Sequence, residues 1–291
     1  MAAQQGIKHR IKSVTNTKQI TKAMQLVAAS KLRKAQESAL QPRAYLEASG
    51  KLIGELAYSK EAQGSGLFVM RPPKKSLTIV ISSDRGLAGA YNSNIIKAMV
   101  KHLKEGSSLH KIISVGRYAS LFVAKINGKD DKWNIDEVDE IASYPMTVDS
   151  VDVELAQPVL AEAIQLFENG EVDEVFVTYT RFISTVKQDT IVEKLLPLAS
   201  TVSKVPDGRT FEPRAEVILE LVTRRYVEAK LTQCILESLA SEHASRMLAM
   251  KNATDNASDL IDDLTLAYNN ARQAGITQEL AEISAGAEAI K

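Results

Sequence analysis

The last eighty residues, from about Glu212 to Lys291, constrain this chain more than any other stretch. Nearly all of it reads as one unbroken helix. Its apolar stripe runs Met247, Met250, Ala253, Ala257, Leu260, Leu264, Ala267, Ala271 and Ala274, in steps of three and four. A period close to 3.5 keeps a seam on one side of a helix and lets it wind about a partner. Pro213 is tolerated in a first helical turn, and no proline follows it. At about 1.5 Å per residue such a rod is on the order of 110 Å long. It is therefore expected to project from any compact domain, with something else covering or surrounding its tip.

The other end of the chain supplies the partner. Residues 3 to about 57 read as a first long helix, with a stripe through Ile7, Ile11, Val14, Ile20, Met24, Val27, Leu32, Ala35, Ala39, Leu46, Ser49, Ile53 and Leu56. Pro42 interrupts it, and a bend or local break is expected there. Residues 1–57 carry ten Lys and Arg against three Glu, whereas residues 212–291 carry eight against 13 acidic residues. Opposite charge favours two helices lying side by side. No acidic residue precedes Glu37, while eight basic ones do. A solvated face explains such a run about as well as a binding face does. A transit peptide fits poorly, because the segment is Lys-rich and continues as a heptad stripe. A zipper-type nucleic-acid region would need its zipper directly downstream. The preferred functional reading is a basic face that meets an acidic protein partner.

Between the helices the period changes. Gly64, Gly66, Pro72 and Pro73 mark a crossing. Ser76–Ser82 is a continuous apolar run, typical of a strand buried on both faces. A helix is expected from about Asn92 to Lys104, a strand at His110–Gly116, and a helix at Arg117–Ile126. Trp133–Ile141 is ambiguous. A helix at Val151–Glu168 and strands at Glu174–Tyr179 and Gln188–Leu196 follow, the last two pairing as a hairpin. The expected fold is thus α/β plus a long antiparallel coiled coil: helix 1–57, an inserted doubly wound, mostly parallel domain at 58–211, and helix 212–291.

Chemistry is scarce. The turn after the first strand holds Gly86 and Gly89, which is not a dinucleotide fingerprint, and no phosphate-binding loop or nucleophile elbow occurs. Asp84 and Arg85 read better as a capped turn than as catalytic groups. Asp259, Asp262 and Asp263 belong on a solvated face beside Leu260, Ile261 and Leu264. The lone cysteine, Cys234, lies among Leu231, Ile235 and Leu239 and reads as a buried structural thiol. One cysteine and four histidines give no metal-ligand spacing. No apolar run is long enough to span a membrane. The expectation is a chain that is not an enzyme by itself.

The residues then point to a family. Ile20–Gln36 (ITKAMQLVAASKLRKAQ) closely resembles the N-terminal helix of the γ subunits of F-type ATP synthases. Ser83–Gly89 (SDRGLAG) resembles the turn after that family's first strand. Glu242–Ala257 and Tyr268–Leu280 resemble its C-terminal helix. The match covers essentially the whole chain, although residues 58–80 and 120–210 agree only in pattern.

The resemblance implies a central rotating shaft of the F1 sector, one copy per complex, coupling ion-driven rotation to ATP synthesis and hydrolysis. Its paired helices would enter an α3β3 ring, and its foot would rest on the ε subunit and the c-ring of F0. ATP or ADP and Mg2+ would bind on the α and β subunits and no cofactor on this chain, with no nucleic acid and no membrane insertion. Implied contacts with the ring are Met24, Lys31, Arg33, Lys34 and Arg246, with Arg272, Gln273, Thr277 and Glu279 gripping and Ile283 and Ile290 sliding. Thr210 and Phe211 are the implied c-ring or ε contacts. The family's chloroplast forms carry a two-cysteine insertion that this chain lacks. The direct start at the first helix suggests a bacterial source and a place on the cytoplasmic face of the plasma membrane. Two other readings compete: a nucleotide-dependent α/β enzyme with helical dimerisation arms, and a coiled-coil scaffold without rotation.

Overall fold

The computed structural model describes residues 2–56, 66–106, 109–127, 133, 135, 138–146, 155–198 and 215–289. The chain divides into two compact units: Met1–Ala29 with Arg246–Lys291, and Ser30–Ser245. Two long helices, α1 (Ala2–Leu56) and α5 (Ala215–Ala289), contribute to both.

In the first unit the seam has a regular heptad frame. On α5 the covered or half-covered positions include Met250, Thr254, Ala257, Ile261, Leu264, Tyr268, Ala271 and Gly275. On α1 they include Gln4, Ile7, Ile11, Val14, Lys18, Thr21, Gln25 and Ala28. This corrects part of the expected stripe. Ile261, Tyr268 and Gly275 replace Leu260, Ala267 and Ala274, Thr254 is covered beside a half-covered Ala253, and Thr21 and Ala28 replace Ile20 and Val27. Ile20 and Val27 are 60% and 56% exposed. The displacement has a physical cause. Thr21 and Thr254 are polar, yet their hydroxyls meet at 2.8 Å, and each also reaches a carbonyl of its own helix, Lys18 at 3.1 Å and Met250 at 2.7 Å. Satisfied hydroxyls enter a seam at little cost and fix its register.

In the second unit the same two helices run antiparallel. Arg43 faces Glu237 at 3.9 Å, and one turn or two further along Gly50 lies against the Tyr226 ring. Pro42 does not break α1, which continues through it. Buried Ala39 and Leu46 on either side hold the helix, outweighing one lost backbone bond.

The inserted domain has strands β1 (Lys75–Ile81), β2 (Leu109–Val115), β3 (Asp139–Tyr144), β4 (Glu174–Phe182) and β5 (Gln188–Leu196) in the order β3-β2-β1-β4-β5. All pairs are parallel except the β4–β5 hairpin. The connecting helices are α2 (Tyr91–Glu105), α3 (Arg117–Ile126) and α4 (Ala156–Glu168). β1 is buried on both faces, as its unbroken apolar run predicts: Leu77, Ile79 and Ile81 on one, Ser76, Thr78 and Val80 on the other. β3 takes up the end of the ambiguous stretch, from Asp139, while residues 134, 136 and 137 lie outside the described residues. This edge strand is half-covered and of mixed polarity, so no period marks it. α4 begins at Ala156, and the expected start at Val151 lies outside the described residues.

Cys234 is buried on the face of α5 that covers the hairpin. Burial pushes its thiol from an ordinary 9.0 up to about 12. Above pH 9 the unfolded chain loses this proton and the folded chain keeps it, so stability falls as pH rises. The slope is up to about 1.4 kcal/mol per pH unit until the folded thiol also ionises. Cys234→Ala flattens that limb of a denaturation series at pH 9–11. Part of it persists, because burial also raises the neighbouring Tyr179 hydroxyl. Equal slopes in the two proteins would contradict the assignment.

Candidate functional site

The first place to look for chemistry in a parallel α/β sheet is the crevice at the C-terminal ends of its strands, beside the point where strand order reverses. Here that point lies between β1 and β4, and α5 fills it. The Ser238 hydroxyl lies 2.7 Å from the Tyr91 hydroxyl at the start of α2, and accepts from the Thr180 amide of β4 at 3.4 Å. One turn on, the Ser241 hydroxyl donates to the Thr180 carbonyl at 3.0 Å. These backbone groups lie past the end of β1, where no strand partner remains, and α5 satisfies them.

The turn Ser82–Asp84 is equally occupied. Asp84 Oδ1 accepts from the Arg117 amide at 2.8 Å, the Ser83 carbonyl from Tyr118 at 3.2 Å, and Ser82 Oγ from Ala119 at 2.8 Å. Three amides that open α3, which would otherwise invite an anion, are capped by the chain itself. Asp84 thus caps a turn, as expected, but caps α3 and not the helix that directly follows β1. Among the described residues no group of His, Cys, Asp and Glu stands close enough to hold a metal ion, and no helix is long and apolar enough to cross a membrane.

The informative surface lies on the first unit. With Thr254 opposite Thr21, antiparallel pairing sets Gln4 beside Ala271. Beyond Gly275, every residue of α5 from Ile276 to Ala285 is exposed among the described residues. Ile276, Leu280 and Ile283 form an apolar line there at helical spacing, 49%, 60% and 69% exposed. An uncovered apolar line on a helix marks a binding surface.

The expected site residues fall around this surface in an uneven way. Arg272, Gln273, Thr277 and Glu279 are all exposed on the same outward arc of α5. The Thr277 hydroxyl is already bonded to the Gln273 carbonyl at 2.9 Å. Met24 is half-buried on α1. Arg33, Lys34 and Lys31 belong to the second unit. The first two are exposed, Arg33 held by Glu37 at 3.0 Å, and Lys31 is half-buried. Arg246 is buried, so it reads as part of the helix packing. Ile290, Thr210 and Phe211 lie outside the described residues. Exposed Ile20, Leu26 and Val27 were missed as surface groups; their position one step off the heptad frame was the available signal.

The chain matches a known family along nearly its full length. The model of the ATP synthase family matches residues 3–290. An ATP synthase gamma chain from Xanthomonas campestris pv. campestris (strain B100) is 40% identical over 298 residues, covering 100% of both chains. The chain belongs to the ATP synthase gamma chain family. A gamma chain from Moorella thermoacetica is 38% identical, again over 100% of both chains. Among solved structures, a chain of the Tetrahymena thermophila mitochondrial ATP synthase central stalk and c-ring is 26% identical, with a TM-score of 0.61, covering 80% of this chain and 99% of that one. A chain of the Euglena gracilis mitochondrial ATP synthase shares the fold, with a TM-score of 0.68 at 18% identity over 99% of this chain and 95% of that one. A serine–histidine contact in this gamma chain, Ser76 Oγ to His110 Nδ1 at 2.9 Å, joins β1 to β2 with both side chains buried, so it reads as a sheet contact.

Proposed function

We propose that this gamma chain is the central rotating shaft of an F1 sector and a non-catalytic subunit of its ATP synthase. It turns inside an α3β3 ring and couples proton-driven rotation of a c-ring to synthesis or hydrolysis of ATP on the α and β subunits, where Mg2+ also binds. The observation that carries the reading is the exposed apolar line of α5, Ile276, Leu280 and Ile283, which needs a surrounding wall. Family membership over the whole chain supports it.

In this reading Arg272, Gln273, Thr277 and Glu279 grip a loop of the ring, while Ile283 and Ile290 slide within it. Met24, Lys31, Arg33 and Lys34 face acidic groups of β, with Arg246 contributing to the same ring contact. Thr210 and Phe211 rest on the c-ring or the ε subunit. The complex sits on the cytoplasmic face of a bacterial plasma membrane, with this chain peripheral to it. Physically the shaft is an asymmetric ligand presented to three sites in turn, and each site's nucleotide affinity follows the face it meets.

Co-expression with its α and β partners tests this. The expected product is a complex with one copy of this chain per three αβ pairs, and an isolated chain with no measurable ATP binding. An isolated chain that binds ATP, or a ring that never takes the chain up, would favour the enzyme or the scaffold instead.

A further inference from the structure

Within the second unit the α/β domain holds α5 through a row of directed polar bonds. Arg224 meets Glu168 of α4 at 3.2 Å, and Glu228 accepts from Gln157 of α4 at 3.1 Å, both at the exposed margin. Ser238 and Ser241 bond Thr180 of β4, and Ser245 donates to Gln188 of β5 at 2.6 Å. Between these groups stands one charged link that is largely covered. Lys230 Nζ meets Glu193 Oε1 of β5 at 2.8 Å, with side chains 27% and 29% exposed.

The Glu193 carboxylate is fully used. Its other oxygen accepts from the Tyr179 hydroxyl at 2.9 Å and faces Arg181 at 3.7 Å. Burial works against the charge on both partners, yet the mutual hydrogen bond and attraction win: Lys230 is shifted up and Glu193 down. The pair therefore stays ionised.

We infer that Lys230, through Glu193, is a positioning residue that locks the rotation of α5 against the α/β domain and so passes turning of the foot into the shaft. This rests on the rotor reading above. The apolar contacts of Val227, Leu231 and Cys234 on the same helix face are non-directional and resist slip only weakly. Directed bonds at one point leave a helix free to pivot. Lys230 lies about 12 Å along the axis from Ser238, which makes a second anchor. Glu193 suits the task because β4 and Tyr179 hold it on a strand, not on a loop.

Hydrogen exchange on the full chain and angular fluctuation in assembled F1 test this together. In Lys230→Met, amides 224–234 exchange about tenfold faster, equivalent to ~1.4 kcal/mol, while amides 250–268 keep their rates. Lys230→Arg restores the rate. In F1 stalled without nucleotide, a bead on the foot of the Lys230→Met protein fluctuates over a wider angle at unchanged ATPase turnover. Glu193→Gln shows both effects more weakly. Wild-type exchange and angular width in both Lys230→Met and Glu193→Gln would overturn the inference. If the wild-type chain fails to join the ring, the rotor reading falls, while the exchange data still decide whether Lys230 anchors α5.

Discussion

Gly116→Ala lowers the stability of the α/β domain by at least about 3 kcal/mol. Gly116 has a φ of +90°, and an added Cβ would stand 2.3 Å from the Ser82 carbonyl oxygen and 2.7 Å from its carbon. Neither neighbour can yield. Ser82 is bonded to Val115 through its amide at 2.7 Å, and the Gly116 amide donates to Tyr144 of β3 at 2.8 Å. Relief of the clash would therefore part β1 from β2, or β2 from β3. Urea unfolding followed by the single tryptophan, Trp133, reads this domain, because its ring packs edge-on against Phe122 of α3 at 5.3 Å. Gly170→Ala is the control. That residue also has a positive φ, +72°, but nothing lies within 4 Å of its added Cβ, so its loss is about 1 kcal/mol. Similar midpoints for Gly116→Ala and the parent would contradict the close approach.

Replacing Arg272 and Gln273 together by alanine lowers the ATPase turnover of assembled F1 at least about tenfold, or prevents assembly. Both side chains are exposed on α5, so their loss costs the free chain little. Urea unfolding of the isolated variant should match the parent. A loss of turnover with unchanged folding places their role in the partner surface. Unchanged assembly, turnover and torque would remove them from it.

The long helices were legible because a 3.5-residue period over this length has few other solutions. Their exact seam was not. Period counting favours apolar residues, and it chose Ile20, Val27 and Leu260 over Thr21, Ala28 and Ile261. The threonines win because two hydroxyls facing each other satisfy one another, a fact that belongs to the pair and not to either helix. The sheet was legible where strands are buried on both faces, as in β1. It was unreadable at β3, whose edge position leaves a mixed pattern. Pro42 looked like a break, but packing on both sides of it carries the helix through.

The candidate site divides in the same way. The resemblance to known chains pointed to Arg272, Gln273, Thr277, Glu279 and Ile283, and all five side chains are exposed on α5. That Ile276, Leu280 and Ile283 form an uncovered apolar line was not legible, since exposure depends on what packs beside a helix and not on its period. Arg246, named by the resemblance as a contact with the ring, is buried in the chain by itself. Ser238, Lys230 and Glu193 carried no motif at all. Their roles depend on β4, β5 and α5 meeting, and these residues lie far apart in the chain.

The most direct measurement is rotation of one F1 particle built with this chain. The ring is fixed to a surface, and a bead is attached to the α/β domain. With ATP supplied, the account predicts that the bead turns continuously in one direction, at a rate that tracks hydrolysis. A ring that hydrolyses ATP at full rate around this chain while the bead stays still would contradict it.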